Sequence, residues 1–284
     1  MNISPNTKLV GLIGHPVEHS LSPKLHNSLY KKYNLDYVYL AFDIAPDDVG
    51  KALEAFKVLG FKGFNVTIPH KERVMWFLDW LDTEAAIIGA VNTVKVENGK
   101  LIGYNTDGMG FVDSLKRRGI ALKDTVALVL GAGGAARAIC VYLLKEGVKE
   151  LYIYNRTRER AIELIKHLER FFSGVCLNYL TKENIKEVQP DLVVNTTPVG
   201  MWPHTQLMPV EDYAFLPGMI VVDIIYNPIE TAFLRKAREA GCMAINGLDM
   251  LVGQAIKAIE IWTGLKVDYD EAISILIEGD KFLL

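Results

Sequence analysis

Cysteine is scarce in this chain. Cys140, Cys176 and Cys242 are odd in number, scattered and without metal-ligand spacing, so neither a disulfide framework nor a zinc site is written into the sequence. They read as small buried apolar residues of a reducing compartment. The six histidines also lack an H-E-x-x-H arrangement, and no metal is expected. Blocks of like charge are missing: 31 Lys and Arg stand against 34 Asp and Glu, a net charge of −3. That balance argues against nucleic acid or an anionic membrane as the main partner. No basic segment leading into an apolar run opens "MNISPNTKLV", so no secretory signal is visible. The longest apolar stretch, "VALVLGAGGAARAICVYLL" at 126–144, carries Arg137 and a glycine cluster. It suits a buried strand turning into a helix, not a membrane span. There is no internal repeat and no low-complexity linker. The expectation is a soluble, cytoplasmic protein.

What is present is core material in quantity. Half of the 284 residues are hydrophobic and 23% are charged, enough for about two domains. Short apolar runs alternate with helix-period segments. "KLVGLIG" (8–14), "DYVYLAF" (36–42) and "GFNVTI" (63–68) read as strands. Residues 22–33 read as a helix with Ser22 as N-cap and Pro23 at the first helical position, and 46–60 as a helix that starts at Pro46 and stops at Gly60. The stretch 70–88 has helical character, and 90–107 has the shape of a hairpin turning at Asn98-Gly99. From about residue 107 the rhythm is regular, with helices 107–118, 133–146, 157–170 and 229–240 and strands 125–130, 150–154, 191–195 and 219–224. Two helices, about 247–262 and 269–279, end the chain. Such alternation implies parallel sheets covered by helices. The fold expected is α/β: a mixed-sheet N-terminal domain over 1–105, completed by 246–284, and a doubly wound Rossmann-like domain over 106–245.

The glycine segment has the clearest mechanism. In "VALVLGAGGAARA", Gly131, Gly133 and Ala136 have G-x-G-x-x-[GA] spacing between a strand and a helix. The first glycine permits the tight turn, the second lets a pyrophosphate approach the backbone, and the small third residue lets helix and strand pack closely. The helix N-terminus adds free N–H groups and partial positive charge. An NAD site usually ends the next strand with Asp or Glu. Here it ends in "NRTRERA", with Asn155, Arg156, Thr157, Arg158 and Arg160. Guanidinium groups without a carboxylate suit the 2′-phosphate of NADP. Solvated arginines are the plain alternative, but a helix N-terminus is the wrong end for positive charge. The cofactor expected is NADP.

Beside this unit stand "GHPVEHSLSPKLHN" (14–27), "GFNVTIPHKE" (63–72), "GAVNTV" (89–94), "GYNTDGMGF" (103–111), "DIIYNP" (223–228) and "GLDMLVGQA" (247–255). With these segments in this order, nearly the whole chain resembles the shikimate dehydrogenase family. The resemblance implies reversible, NADPH-dependent reduction of 3-dehydroshikimate to shikimate on the aromatic amino-acid route. It implies Lys71 and Asp107 as the catalytic pair, Ser20 and Ser22 on the substrate carboxylate, and Asn65, Thr67, Asn92, Asp107 and Gln254 on its oxygens. Tyr226 and Met250 would shape the pocket near the nicotinamide. The cofactor set implied is Gly131, Ala132, Gly133, Gly134, Ala135, Asn155, Arg156, Thr157, Arg160, Met201, Ile224, Gly247 and Met250. The partner expected is a small-molecule substrate, and the assembly a monomer or homodimer.

Several of these residues have plain readings of their own. Ser22 before Pro23 is a good N-cap, though its hydroxyl can cap and still donate outward. Asn92 interrupts an apolar strand, which fits a bulge as well as a ligand contact. Asp107 before Gly108 reads alone as the N-cap of helix 107–118, Gln254 as a residue bordering an apolar stripe, and His70 as a helix-start residue. Lys71 alone reads as a surface lysine. As a pair with an acid it suits the general acid of a ketone reduction, because an adjacent carboxylate favours the ammonium form. With the substrate in one unit and NADPH in the other, a cleft between them is the site expected. A quinate/shikimate dehydrogenase of broader cofactor use and a non-catalytic NADP-sensing protein of the same fold are the competing readings.

Overall fold

Strand-forming runs fold as two six-stranded sheets in the computed structural model, which describes residues 3–278. Residues 1, 2 and 279–284, the outermost parts of the expected first domain and last helix, lie outside the described residues. The chain divides into two compact units, Met1–Gly110 with Leu251–Leu284, and Phe111–Met250.

In the first unit the elements are β1 (Lys8–Gly14), α1 (Ser22–Lys32), β2 (Tyr37–Asp43), α2 (Val49–Val58), β3 (Gly63–Val66), β4 (Trp80–Leu81), α3 (Thr83–Ile88), β5 (Thr93–Glu97) and β6 (Lys100–Tyr104). The strand order is β2-β1-β3-β5-β6-β4. β1 runs parallel to β2 and β3, while β5 is antiparallel to β3 and β6. One face buries Ile13, Leu53, Phe64, Val91 and Leu101, large apolar side chains that anchor α2 on the sheet. α8 (Leu248–Thr263) and α9 (Tyr269–Glu278) follow the second unit's strands. Trp262 of α8 donates its indole N–H to Val94 O at 3.0 Å, and Tyr33 after α1 donates to Glu271 of α9 at 2.5 Å. These bonds bring the end of the chain back to the first unit.

The second unit contains β7 (Val126–Leu130), α5 (Gly134–Lys145), β8 (Glu150–Tyr154), α6 (Arg158–Leu168), β9 (Cys176–Leu180), β10 (Leu192–Asn195), β11 (Ile220–Asp223), α7 (Ala232–Glu239) and β12 (Met243–Ile245). All six strands are parallel, in the order β12-β11-β10-β7-β8-β9. This is the doubly wound arrangement, whose strand order reverses between β7 and β10. Both faces of the central strands are covered, and Leu128, Val129, Val193 and Val221 are fully buried.

Four expectations need correction. The stretch 70–88 is not one helix: it holds a 3₁₀ turn at Arg73–Phe77, the two-residue strand β4, and α3, whose N-cap Asp82 accepts from Glu84 N. Two residues paired with β6 are too few to display an alternation. Ser22 is the first helical residue, and the capping position falls on Leu21 with no side-chain cap. β9 and β12 were not expected; each is an outermost strand with only one neighbour, so its hydrophobic pattern is weak. Cys176, at the start of β9, is exposed for the same reason, whereas Cys140 and Cys242 are buried. Among the described residues no helix is long and apolar enough to cross a membrane, and no group of His, Cys, Asp or Glu is assembled to hold a metal.

Candidate active site

Register in the first sheet decides which loops meet. β1 and β3 run parallel and stop at Gly14 and Val66, so the segments after them, 15–21 and 67–71, emerge at one edge. β5 runs the other way, with Thr93 opposite both Asn65 and Tyr104. The segment before β5 and residues 105–107 after β6 therefore reach that edge too. Lys71, Asn92 and Asp107, far apart in sequence, come together here.

Lys71 is held by its backbone, whose carbonyl accepts from Val91 N at 2.8 Å. Its ammonium lies 2.5 Å from Asp107 Oδ2, and the two side chains are 15% and 5% exposed. A charge-assisted bond of this length, largely out of water, fixes both partners. Asp107 opens α4 (Asp107–Lys116), but its carboxylate does not cap that helix. Asn105 Oδ1 takes the Asp107 N–H at 3.0 Å, while Asn92 Nδ2 donates to Asp107 Oδ1 at 2.7 Å and to Thr106 Oγ1 at 2.9 Å. Asn92 Oδ1 in turn accepts from Thr106 N at 2.8 Å. Asn65 spends its amide on Asn92 O and Thr93 Oγ1. His70 is fully buried and donates from Nε2 to Ile44 O at 2.7 Å. Burial lowers its pKa, so it is a neutral peg for the turn that presents Lys71.

Ser20 Oγ accepts from Ser22 N at 3.2 Å, just before α1. Its hydroxyl proton is left to donate, and the Ser22 and Thr67 hydroxyls have no protein partner among the described residues. Unused donors beside a helix N-terminus suit a carboxylate. Gln254 lies on α8 next to Gly253, where a Cβ would come within 3.0 Å of the Gly110 Cα. That close approach sets Gln254 beside the first turn of α4. Gln254 donates to Leu251 O and is 9% exposed.

In the second unit the glycine loop sits at the switch point of the sheet. Gly131 has φ +118°, and a Cβ there would stand 2.3 Å from Thr196 Oγ1. Only glycine fits. Beside Gly133, the N-cap of α5, a Cβ would meet nothing within 4 Å. This space, the uncapped first turn at Gly134 and Ala135, and the close-packed Ala132 and Ala136 form a cradle suited to a pyrophosphate. β8 delivers Asn155 beside β7, followed by exposed Arg156, Thr157 and Arg160, so the donor set at this strand end fits a 2′-phosphate. Ile224 follows β11, and Gly247 N bonds to Ile225 O at 3.0 Å. Met201 is 44% exposed in the loop after β10, Tyr226 is half-buried in the loop after β11, and Met250 is buried in α8.

Three family models match this chain: the shikimate dehydrogenase substrate binding domain at residues 12–94, shikimate / quinate 5-dehydrogenase at 114–198, and the shikimate 5′-dehydrogenase C-terminal domain at 247–276. A shikimate dehydrogenase (NADP(+)) of Caldanaerobacter subterraneus is 48% identical over 271 residues, 95% of this chain and 96% of that one. The chain belongs to the shikimate dehydrogenase family. A crystal structure of a shikimate dehydrogenase in complex with NADP+ matches with TM-score 0.90 and 41% identity, over 98% of this chain and 97% of that one. The shikimate dehydrogenase of Thermus thermophilus in complex with NADP(H) and shikimate matches with TM-score 0.86 and 36% identity, over 96% and 100%. The two shikimate dehydrogenase models nearest Asp107 end at 94 and begin at 114, so this acid is placed by the geometry around it. Asn105, Thr106 and Thr196 belong to the surroundings of these sites without having been singled out in the sequence. The first two stand in "GYNTDGMGF" directly before Asp107, and nothing local marks their side chains.

Proposed function

We propose that this chain is an NADP-dependent shikimate dehydrogenase that interconverts 3-dehydroshikimate and shikimate, with Lys71 and Asp107 as its catalytic pair. The observation that carries the reading is the Lys71–Asp107 bond at 2.5 Å inside a buried polar network, in a chain of this family. The unit Met1–Gly110 with Leu251–Leu284 takes the substrate, and Phe111–Met250 takes the cofactor. Bound NADPH supplies the hydride. As the keto carbon is reduced, negative charge grows on its oxygen, and the Lys71 ammonium stabilises that charge and delivers the proton. In the oxidative direction the Lys71 amine takes the proton back. Asp107 keeps Nζ positioned, and Asn92 keeps Asp107 positioned.

Ser20 and Ser22 bind the substrate carboxylate with their unused hydroxyl protons. Thr67, Gln254, Asn65 and Asn92 address its oxygens, the two asparagines at the expense of a bond within the network. The cofactor pyrophosphate is held by Gly131, Ala132, Gly133, Gly134 and Ala135, and its 2′-phosphate by Asn155, Arg156, Thr157 and Arg160. Tyr226, Met201, Ile224, Gly247 and Met250 line the nicotinamide end. Every assigned residue belongs to this one chain, so the reading holds for a monomer or a homodimer, at work in the cytoplasm. The test is formation of NADPH from NADP, followed spectrophotometrically with shikimate or quinate, and repeated with NAD. Turnover of shikimate with NADP well above the other combinations is expected. Equal use of quinate and NAD makes it a broad quinate/shikimate dehydrogenase, and no turnover with either substrate overturns the assignment.

A further inference from the structure

The end of "GHPVEHSLSPKLHN" has so far no task. His26 and Asn27 stand there on α1, and both act on Tyr39 of β2. Asn27 clamps the Tyr39 backbone, Nδ2 donating to its carbonyl and Oδ1 accepting from its N–H, each at 2.9 Å. His26 stacks on the Tyr39 ring, with centroids 4.1 Å apart and planes 15° from parallel. Tyr39 is fully buried, yet β2 is the outer strand of its sheet. Such an investment in one tyrosine is explained by what its hydroxyl does.

That hydroxyl donates to Asn65 Oδ1 at 2.8 Å. Asn65 Nδ2 donates to Thr93 Oγ1 at 2.9 Å, and Thr93 Oγ1 donates to Asn92 Oδ1 at 2.9 Å. Asn92 Nδ2 donates to Asp107 Oδ1 at 2.7 Å, and Lys71 closes on the other carboxylate oxygen. Every bond from Tyr39 to Asp107 points the same way, from donor to acceptor, ending on the carboxylate. Tyr39, Asn65, Thr93, Asn92 and Asp107 are each no more than 4% exposed. In such surroundings aligned hydrogen bonds polarise one another. The direction matters for Asn65: turned over, its Oδ1 would face the Asn92 carbonyl, which now accepts from Nδ2 at 3.2 Å.

We propose that Tyr39, held by His26 and Asn27, is a positioning residue for the reaction, heading a side-chain relay that orients Asn65 and Asn92 and so sets Asp107 for Lys71. This rests on the shikimate dehydrogenase reading given above. Tyr39→Phe keeps the ring and the stack but leaves Asn65 Oδ1 buried without its donor. The expected result is a fall in kcat of about tenfold with the KM for NADP within about twofold of wild type. In an Asn65→Ala background the relay is already cut, so the same substitution should lower kcat less than about twofold further. Thr93→Val breaks the relay one bond nearer Asp107 and should repeat the kcat effect if Tyr39→Phe does not fold. An unchanged kcat in folded Tyr39→Phe, or equal falls in both backgrounds, overturns the proposal. A readout independent of turnover separates it from the reading it rests on. In ¹⁵N-labelled protein the Asn92 side-chain amide protons should shift in Tyr39→Phe; unmoved resonances reject the relay even if wild type oxidises shikimate, and shifted ones uphold it even if it does not.

Discussion

Lys71 Nζ and Asp107 Oδ2 lie 2.5 Å apart, 36 residues distant in sequence and joined by no shared element. The turn after β3 supplies one and the start of α4 the other. Lys71→Ala removes the proposed proton donor and should lower turnover by roughly 10²- to 10⁴-fold. NADPH affinity, read by nicotinamide fluorescence, should stay within about threefold, because the phosphate contacts are assigned to Gly131–Ala135 and Arg156. A variant retaining most of its turnover would show that Lys71 carries no proton.

Arg156 follows β8, the neighbour of β7, where an NAD site would place a carboxylate, and it is exposed. Arg156→Asp exchanges the proposed partner of the 2′-phosphate for a group that repels it. NADPH should weaken by roughly 10- to 100-fold relative to NADH. Titration of both cofactors checks this, and an unmoved ratio of the two affinities excludes the phosphate contact.

The strands and helices of the second unit were legible because each repeats a strong local signal, an apolar run and then an amphipathic helix bounded by glycine. The short pieces between 70 and 88 were not. Their structure comes from tertiary bonds such as Leu101 N to Asp79 Oδ2 at 2.7 Å, which no window of sequence contains. The site shows the same division. Gly131 and Gly133 declare themselves by spacing, whereas Asp107 reads alone as a helix cap, and only the fold sets its N–H on Asn105 Oδ1 and its carboxylate on Lys71. Tyr39 sits in an apolar strand with nothing local to mark its hydroxyl. Residues whose role depends on register between distant strands are silent in a single sequence.

Asp223, at the end of β11, is fully buried and accepts from Asn195 Nδ2, Ile225 N and Thr231 Oγ1. These bonds fasten the loop that carries Tyr226. Burial raises its pKa from 3.8 to about 6 against the pull of the three donors. The folded chain therefore binds this proton more tightly than the unfolded one. The stabilisation is complete below about pH 3.8 and is lost as pH rises through about 6. Asp223→Asn, which keeps an acceptor and cannot ionise, should remove that loss. Urea denaturation between pH 4 and 7 measures it: the folding constant of wild type relative to Asp223→Asn should fall as pH rises, and a constant ratio sinks the assignment.

His26 gives the opposite sign. Its ring is fully buried, Nδ1 faces Tyr30 OH at 3.2 Å, and Nε2 has no partner among the described residues. Neither Tyr30 nor Tyr39 offers a charge to balance an imidazolium, and burial lowers the His26 pKa from 6.5 to about 3. Here the unfolded chain binds the proton and the folded chain refuses it. The contribution of His26 is therefore fully present above about pH 6.5 and is lost as pH falls from there toward about 3. Within that window one proton separates the two states, so this residue alone lowers the folding constant about tenfold per pH unit. His26→Phe keeps a ring on Tyr39 and cannot titrate, so its folding constant should lose one proton's worth of slope while Asp223 and the other acids remain. Urea denaturation of both proteins at pH 4, 5 and 6, inside the window set by His26, decides the matter. If the two slopes coincide, the imidazole is already charged in the folded state, and its stack on Tyr39 is not the neutral one described.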